Sequence, residues 1–272
     1  MSNFWQRTFT GFIFIVAIVG GVWWHSYSYL LIFATVVFLG MLEFKELVRA
    51  RPVKVQTTLA LILGGFWYLT SFFVVSGDIS PKWMMLIVPL ILAVFINELY
   101  RKTSTPLLNI ACTLIIPFYV ALPFSFLHFL VFKTGVYDFR LLLGFFLLIW
   151  ANDSGAYLVG VKFGKKRLFE RISPKKSWEG AVGGFVLTLL LAFVSAFYFK
   201  GLTLVNWLIM AVIVSVMGTF GDLVESMIKR SANMKDSGSL LPGHGGVLDR
   251  FDAVIFAAPM VCSYLILIRF FF

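Results

Sequence analysis

The residues best suited to chemistry crowd into a few short stretches. One, LPGHGGVLDRFD at residues 241–252, sets three glycines, a histidine, an arginine and two aspartates between long apolar runs. Asp249 and Asp252 lie three apart where a helix should begin, close enough to face one metal ion or two adjacent ions. Hard oxygen ligands of this kind suit Mg²⁺, alone or with a second cation. The aspartate pair by itself says little, because the first turn of any helix favours acids. Gly243, Gly245 and Gly246 let backbone approach a phosphate closely, and His244 and Arg250 add donors. For His244, donor, acid and purely structural roles all stand open.

A second stretch, GTFGDLVESMIKR, places Asp222, Glu225, Ser226 and Lys229 at i, i+3, i+4 and i+7, one face of a helix. Asp222 precedes Lys229 by seven residues, which puts it roughly 10 Å deeper along the axis at ~1.5 Å per residue. A third stretch, LLIWANDSGAYLVG, carries Asn152, Asp153 and Ser154 about 10–15 Å below Lys162 by the same rise. Two acids at similar depth suggest one polar cavity between their helices. For Asp222, a structural ion pair and a metal or substrate site are both open readings.

The elements that must position these residues are membrane helices. The chain is 60% hydrophobic and 13% charged over 272 residues, more apolar surface than a soluble domain of that length can hide. Runs between polar breaks give nine predicted spans, near 9–24, 28–47, 57–75, 82–99, 106–131, 141–161, 177–199, 202–228 and 251–270. The fold class is therefore all-α and polytopic. The run 9–24 ends in tryptophans and not in small residues, so it reads as a first span and not as a cleavable leader. With the N-terminus in the cytoplasm, 18 of the 23 lysines and arginines fall on the inner side, which sets the C-terminus outside and the chemistry at the cytoplasmic face. The net charge of +10 is then topology and attraction to anionic headgroups, and no nucleic-acid partner is needed.

The basic loop KFGKKRLFERISPKK at residues 162–176 leads into ISPKKSWEGAVGG. That string predicts a helix with Ser173 as N-cap and Pro174 at its first position. Lys175 and Lys176 would then lie in the first turn, where the dipole disfavours cations unless an anion docks there. The alternative is that both simply hold the loop inside. Lys229 and Arg230 sit at a helix C-terminus, where cations are expected anyway. Gly155, Ala156 and Gly160, and the GxxxG spacing of Gly180 and Gly184, fit close helix packing, within one chain or across a homodimer. His25 and His128 fall near the predicted outer face and read as interfacial. Glu43 and Glu46 stay unassigned, and Cys112 and Cys262 read as small buried hydrophobes.

The combined string SMIKRSANMKDSGSLLPGHGGVLDRFD closely resembles the signature of the phosphatidate cytidylyltransferase (CDP-diacylglycerol synthase) family. The matching positions are Ser226, Lys229, Arg230, Lys235, Asp236, Gly238, Pro242, His244, Gly245, Gly246, Asp249, Arg250 and Asp252. WANDSGAYLVGVKFGK and ISPKKSWEGAVGG resemble the family too, so the likeness covers about residues 140–272. It divides the chain into a scaffold of N-terminal spans, 1–139, and a catalytic region, 140–272. What it implies is a membrane nucleotidyltransferase of phospholipid biosynthesis that joins CTP and phosphatidic acid into CDP-diacylglycerol and pyrophosphate. On that basis Asp222 and Asp249 are expected to hold Mg²⁺, with Asp252 a further or supporting ligand. Lys175, Lys176, Lys229, Arg230, Lys235, His244 and Arg250 form the pool for the phosphates. Asn152 and Asp153 line the buried end, with Ser226, Gly245 and Gly246 beside the substrate.

Two other classes share part of this pattern. CDP-alcohol phosphotransferases also carry acids at a cytoplasmic membrane face, but their motif opens with a DG pair and ends D-x-x-x-D, whereas this chain has D-x-x-D after HGG. An ion-coupled transporter would place its polar residues near the midplane and show inverted repeats. Here they crowd toward one side and no repeat is visible.

Overall fold

The computed structural model describes residues 3–49, 53–199, 201–238, 245–268 and 270. It is built from helices α1 (Asn3–Trp24), α2 (Ser26–Arg49), α3 (Thr57–Val75), α4 (Ile87–Tyr100), α5 (Pro106–Tyr119), α6 (Ala121–Ser125), α7 (Leu127–Val131), α8 (Arg140–Phe163), α9 (Trp178–Tyr198), α10 (Leu204–Ser231) and α11 (Leu248–Leu267). Among the described residues seven segments are long and apolar enough to cross a membrane: Thr57–Val75, Pro81–Tyr100, Pro106–Val131, Arg140–Phe163, Trp178–Tyr198, Leu204–Ser231 and Leu248–Leu267. The protein is thus a polytopic, mostly helical membrane protein. Each helical segment coincides with one of the nine predicted spans to within a few residues, except the first, where α1 starts six residues before the predicted run.

The span over residues 106–131 is broken into three short helices. Pro117 lies inside α5 and Pro123 inside α6, and each lacks the amide needed to continue the hydrogen-bond ladder. Two hairpins depart from the all-α expectation. Strands β1 (Phe132–Lys133) and β2 (Val136–Tyr137) close through Thr134 and Gly135, both with positive φ, the backbone shape that a two-residue hairpin turn requires. Strands β3 (Arg167–Phe169) and β4 (Ser173–Ser177) pair antiparallel in the basic loop.

Helices α8 and α9 form the closest pair, α9 also packs on α10, and α10 on α11. The α8–α9 contact is made by main chain. A Cβ on Gly155 would lie 2.8 Å from the Gly183 carbonyl oxygen, and one on Gly184 would lie 2.6 Å from that of Asn152. Gly180 similarly meets the Ala156 carbonyl. The GxxxG glycines are therefore used within the chain, so a homodimer would have to bury a different face. An aromatic cluster joins this four-helix group to the N-terminal helices. Phe33 of α2 lies 6.2, 5.9 and 6.1 Å from the rings of Phe124, Phe146 and Phe251.

The N-terminal helices have a polar clasp of their own. Glu98, 4% exposed, accepts from Gln56, Asn109, Thr103 and Arg101 at 2.6–2.9 Å, tying α3, α4 and α5 together. His128 departs from the interfacial expectation. It is fully buried, with Nδ1 2.9 Å from the Tyr29 hydroxyl and Nε2 3.1 Å from the Tyr68 carbonyl, because α7 packs against α3, α8 and α11. His25 is exposed.

Gly184→Val should separate α8 from α9 and lower stability by about 1–3 kcal/mol, the range for overpacking a filled interior. Gly65→Ala, where nothing lies within 4 Å of the added carbon, should leave it unchanged or slightly raised. Thermal unfolding of the purified protein in detergent distinguishes the two.

Candidate active site

The polar side chains meet in two adjoining groups. The first lines an open cavity of about 610 Å³ walled by α8, α9, α10 and the β3–β4 hairpin. Asn152 and Asp153 enter from α8, Asp222 from α10, and Lys175 and Lys176 from β4. Lys176 forms an ion pair with Asp222, whose other oxygen accepts from the Ser226 hydroxyl at 3.2 Å. Asp153 sits among the charges of Asp222, Lys176 and Arg250. The shared cavity expected from the depth of the two acids is present, with α9 as an additional wall.

The local structure of the basic segment differs from the expectation. Residues 173–177 are a strand, and α9 begins at Trp178 with Ser177 as its N-cap, the hydroxyl accepting from Gly180 N at 3.1 Å. Two forces move the boundary. Pairing with β3 satisfies the backbone of Ser173–Ser177, and Glu179 in the first turn of α9 accepts from the Lys165 and Lys166 amides at 3.1 and 3.2 Å. An acid in that turn suits the helix dipole. Lys175 and Lys176 therefore reach the cavity from a hairpin, not from a helix terminus.

The second group is the hinge between α10 and α11. Lys229, 9% exposed, stands between two carboxylates, 2.8 Å from Glu225 and 2.5 Å from Asp249. The other oxygen of Asp249 accepts from the amides of Ser237 and Gly246 at 3.1 and 2.8 Å. Gly245 takes φ +81°, and a Cβ there would lie 2.6 Å from the Asp249 carboxylate. The glycine thus makes room for the acid as it turns the chain.

The two groups join where α10 crosses α11. A Cβ on Gly221 would lie 2.3 Å from the Asp252 carbonyl, so the backbones touch beside Asp222. Asp252 consequently shares its surroundings with the charges of Asp222, Glu225 and Asp153. Tyr119, from α5, brings a buried hydroxyl near Glu225 and Asp252. That hydroxyl and Glu225 Oε1 have no hydrogen-bond partner among the described residues.

Arg230, in the last turn of α10, and Lys235, just past its end, are exposed, the former donating to the Met234 carbonyl at 3.2 Å. They do not line the cavity. Arg250 is exposed in the first turn of α11, and His244 lies outside the described residues. Among the described residues no three His, Cys, Asp or Glu side chains converge closely enough to cage a metal ion alone.

Three residues of the hinge carried no role in the sequence reading: Glu43, Glu225 and Ser237. Glu43 is 4% exposed and accepts from Val247 N, Leu248 N and the Ser237 hydroxyl at 2.8, 2.9 and 3.1 Å. The signal was its phase. Val36, Gly40, Glu43 and Leu47 fall on one helical face, and the other three are apolar or small. Glu46 lies off that face, exposed and paired with Lys45 at 2.7 Å.

Paired acids and lysines beside a polar cavity, set in a bundle of apolar helices, are an arrangement able to hold charged groups. The chain belongs to the cytidylyltransferase family, whose model matches residues 5–268. It is 32% identical to the phosphatidate cytidylyltransferase of Haemophilus influenzae, with 93% of this chain and 96% of that protein covered. The phosphatidate cytidylyltransferase of Staphylococcus aureus is 32% identical over 87% of this chain and 90% of its own. That of Bacillus subtilis is 46% identical over 116 residues, 42% of this chain and 43% of its own.

Lys229→Met would leave Glu225 and Asp249 without their shared cation and should cost about 3–5 kcal/mol of stability, as expected when one partner of a buried pair is removed. The double variant Lys229→Met/Glu225→Leu should regain part of that loss. Unfolding in mixed micelles measures both.

Proposed function

We propose that the cavity and the hinge form one active site in which this member of the family joins CTP and phosphatidate to give CDP-diacylglycerol and pyrophosphate. The observation that carries the reading is the crossing at Gly221, which places Asp222 at the cavity beside Asp252 and the hinge acids. A phosphate monoester is mostly dianionic near neutral pH, its second pKa being about 6, so it attacks without a strong general base. An oxygen of the lipid phosphate forms a bond to the α-phosphorus of CTP as the bond from that phosphorus to the bridging oxygen breaks, and pyrophosphate leaves. The barrier is repulsion between anions, which positioned cations lower.

In this reading Lys175 and Lys176 draw phosphate into the cavity, and Asn152 and Asp153 line its deep end. Lys229, held by two carboxylates, offers its remaining N–H at a fixed place, and Ser226 steadies Asp222. Arg230, Lys235, His244 and Arg250 supply further donors around the hinge, with Gly245 and Gly246 bringing its backbone close. Mg²⁺ fits the donor type, since Asp222 and Asp252 are like charges in one cluster. Its usual site is one or two carboxylates completed by substrate phosphates, not a cage of protein ligands. When bound it neutralises the triphosphate and stabilises the leaving pyrophosphate. Asp249 joins that set only by giving up Lys229.

The membrane setting is part of the proposal. Nine spans, counting α1 and α2, with the N-terminus and the active site at the cytoplasmic side, follow the distribution of lysine and arginine. Acyl chains then reach the cavity sideways from the bilayer. Residues 1–139 serve as scaffold and 140–272 as the catalytic region.

Purified protein with CTP, phosphatidate and Mg²⁺ should form a liponucleotide, and omission of any one should stop it. Asp222→Asn and Asp249→Asn should each lower turnover by at least about a hundredfold, the scale of lost electrostatic stabilisation. Normal turnover in both would overturn the site. Orientation has its own check: a single cysteine placed at Lys165 should react with a membrane-impermeant thiol reagent only from the cytoplasmic side, and one at Lys133 only from outside.

A further inference from the structure

We propose that Glu43 is a positioning residue for the reaction: from the N-terminal helices it fixes the hinge that presents Asp249 and Lys229. The inference rests on the reading of Asp249 and Lys229 as active-site groups.

Glu43 is a buried carboxylate that, among the described residues, accepts three hydrogen bonds from neutral donors: the Val247 and Leu248 amides and the Ser237 hydroxyl. The amides open α11, where a helix has unpaired N–H groups and a partial positive charge. The residue at the N-cap, Val247, has no capping side chain, so a carboxylate about two hundred positions earlier in the chain does that work. The space is shaped for it. A Cβ on Gly238 would lie 2.6 Å from the Glu43 carboxylate, and one on Gly246 would lie 2.5 Å from it.

What raises this above helix capping is the identity of the residues held. Ser237 gives its hydroxyl to Glu43 and its amide to Asp249. Gly246, packed against Glu43, gives its amide to the same oxygen of Asp249. Asp249 in turn holds Lys229, which Glu225 holds from the other side. Glu43 and Asp249 grip the same two ends of the hinge, one from α2 and one from α11. A shift of the hinge away from Glu43 would move both donors of Asp249 and turn its carboxylate relative to Lys229.

The test compares Glu43→Gln, Ser237→Ala, Asp249→Asn and Glu98→Gln in the full-length protein. The readouts are steady-state formation of CDP-diacylglycerol per folded molecule and hydrogen exchange of the hinge amides. Gln keeps the size of Glu43 but faces an amide donor with an NH₂ group. We expect Glu43→Gln to lower kcat about ten- to a hundredfold, the factor matching a lost hydrogen bond to a charged group. The KM for phosphatidate should stay within about twofold, because the cavity walls are untouched, and the Val247 and Leu248 amides should exchange faster. Ser237→Ala should lower kcat in the same direction, and the double variant should be no worse than Glu43→Gln alone, since both act through one contact. Glu98→Gln, which weakens the buried clasp of α3, α4 and α5, should lower the unfolding temperature without changing kcat. Wild-type kcat in Glu43→Gln with only a lower unfolding temperature overturns the proposal. If that variant is not recovered folded, wild-type kcat in Ser237→Ala overturns it instead. Full turnover in both Glu43→Gln and Asp249→Asn overturns the site reading and the proposal with it.

Discussion

The Lys229 ammonium, set between Glu225 and Asp249, is the contact on which the polar half of the molecule depends. Taking a carboxylate out of water costs several kcal/mol, so acids below a membrane surface persist only where a cation or donors meet them. Here one lysine serves an acid of its own helix and an acid of the next. That arrangement locks α10 to α11 and fixes the direction of Asp249. Lys176 plays the matching part for Asp222 from the hairpin side, in a more open setting. Lys229–Asp249 and Lys176–Asp222 are thus cation–anion contacts across elements, and each also sets the position of an element, whereas Glu43 is held by neutral donors.

Around those contacts the backbone comes unusually close. Glycine at 155, 180, 184 and 221 lets main chain meet main chain between α8 and α9 and between α10 and α11. In lipid there is little hydrophobic drive between helices, so close van der Waals packing of small residues carries the association. The same glycines bring acids from separate helices into one neighbourhood. Packing and site are therefore the same piece of construction.

Much of this was legible in the residues. Long apolar runs fixed the helices, and the i, i+3, i+4, i+7 spacing from Asp222 to Lys229 put those groups on one face, as found. The depth of Asp153 and Asp222 gave their common cavity. What failed did so for reasons beyond local sequence. Ser173 and Pro174 carry good helix-start chemistry, yet pairing with β3 overrides it. His128 reads as interfacial from its place near the predicted outer face, whereas α7 packs against α3, α8 and α11 and buries it. Glu43 could be seen as an acid on an apolar face, but its partners lie some two hundred residues away, where no spacing rule reaches.

The main-chain contact between α8 and α9 bears on how such an enzyme can change. On that side the cavity is bounded by backbone and by residues with almost no side chain, notably Gly160, Gly180 and Ala156. Gly180 has no side chain to trim, and a Cβ there would lie 2.8 Å from the Ala156 carbonyl oxygen. A cavity of different size or preference is more readily made at the side chains that face it, such as Tyr157, Arg167, Lys175 and Thr219, which can be exchanged without parting two helices. The glycine wall leaves variation of the cavity to the side chains that face it across the opening.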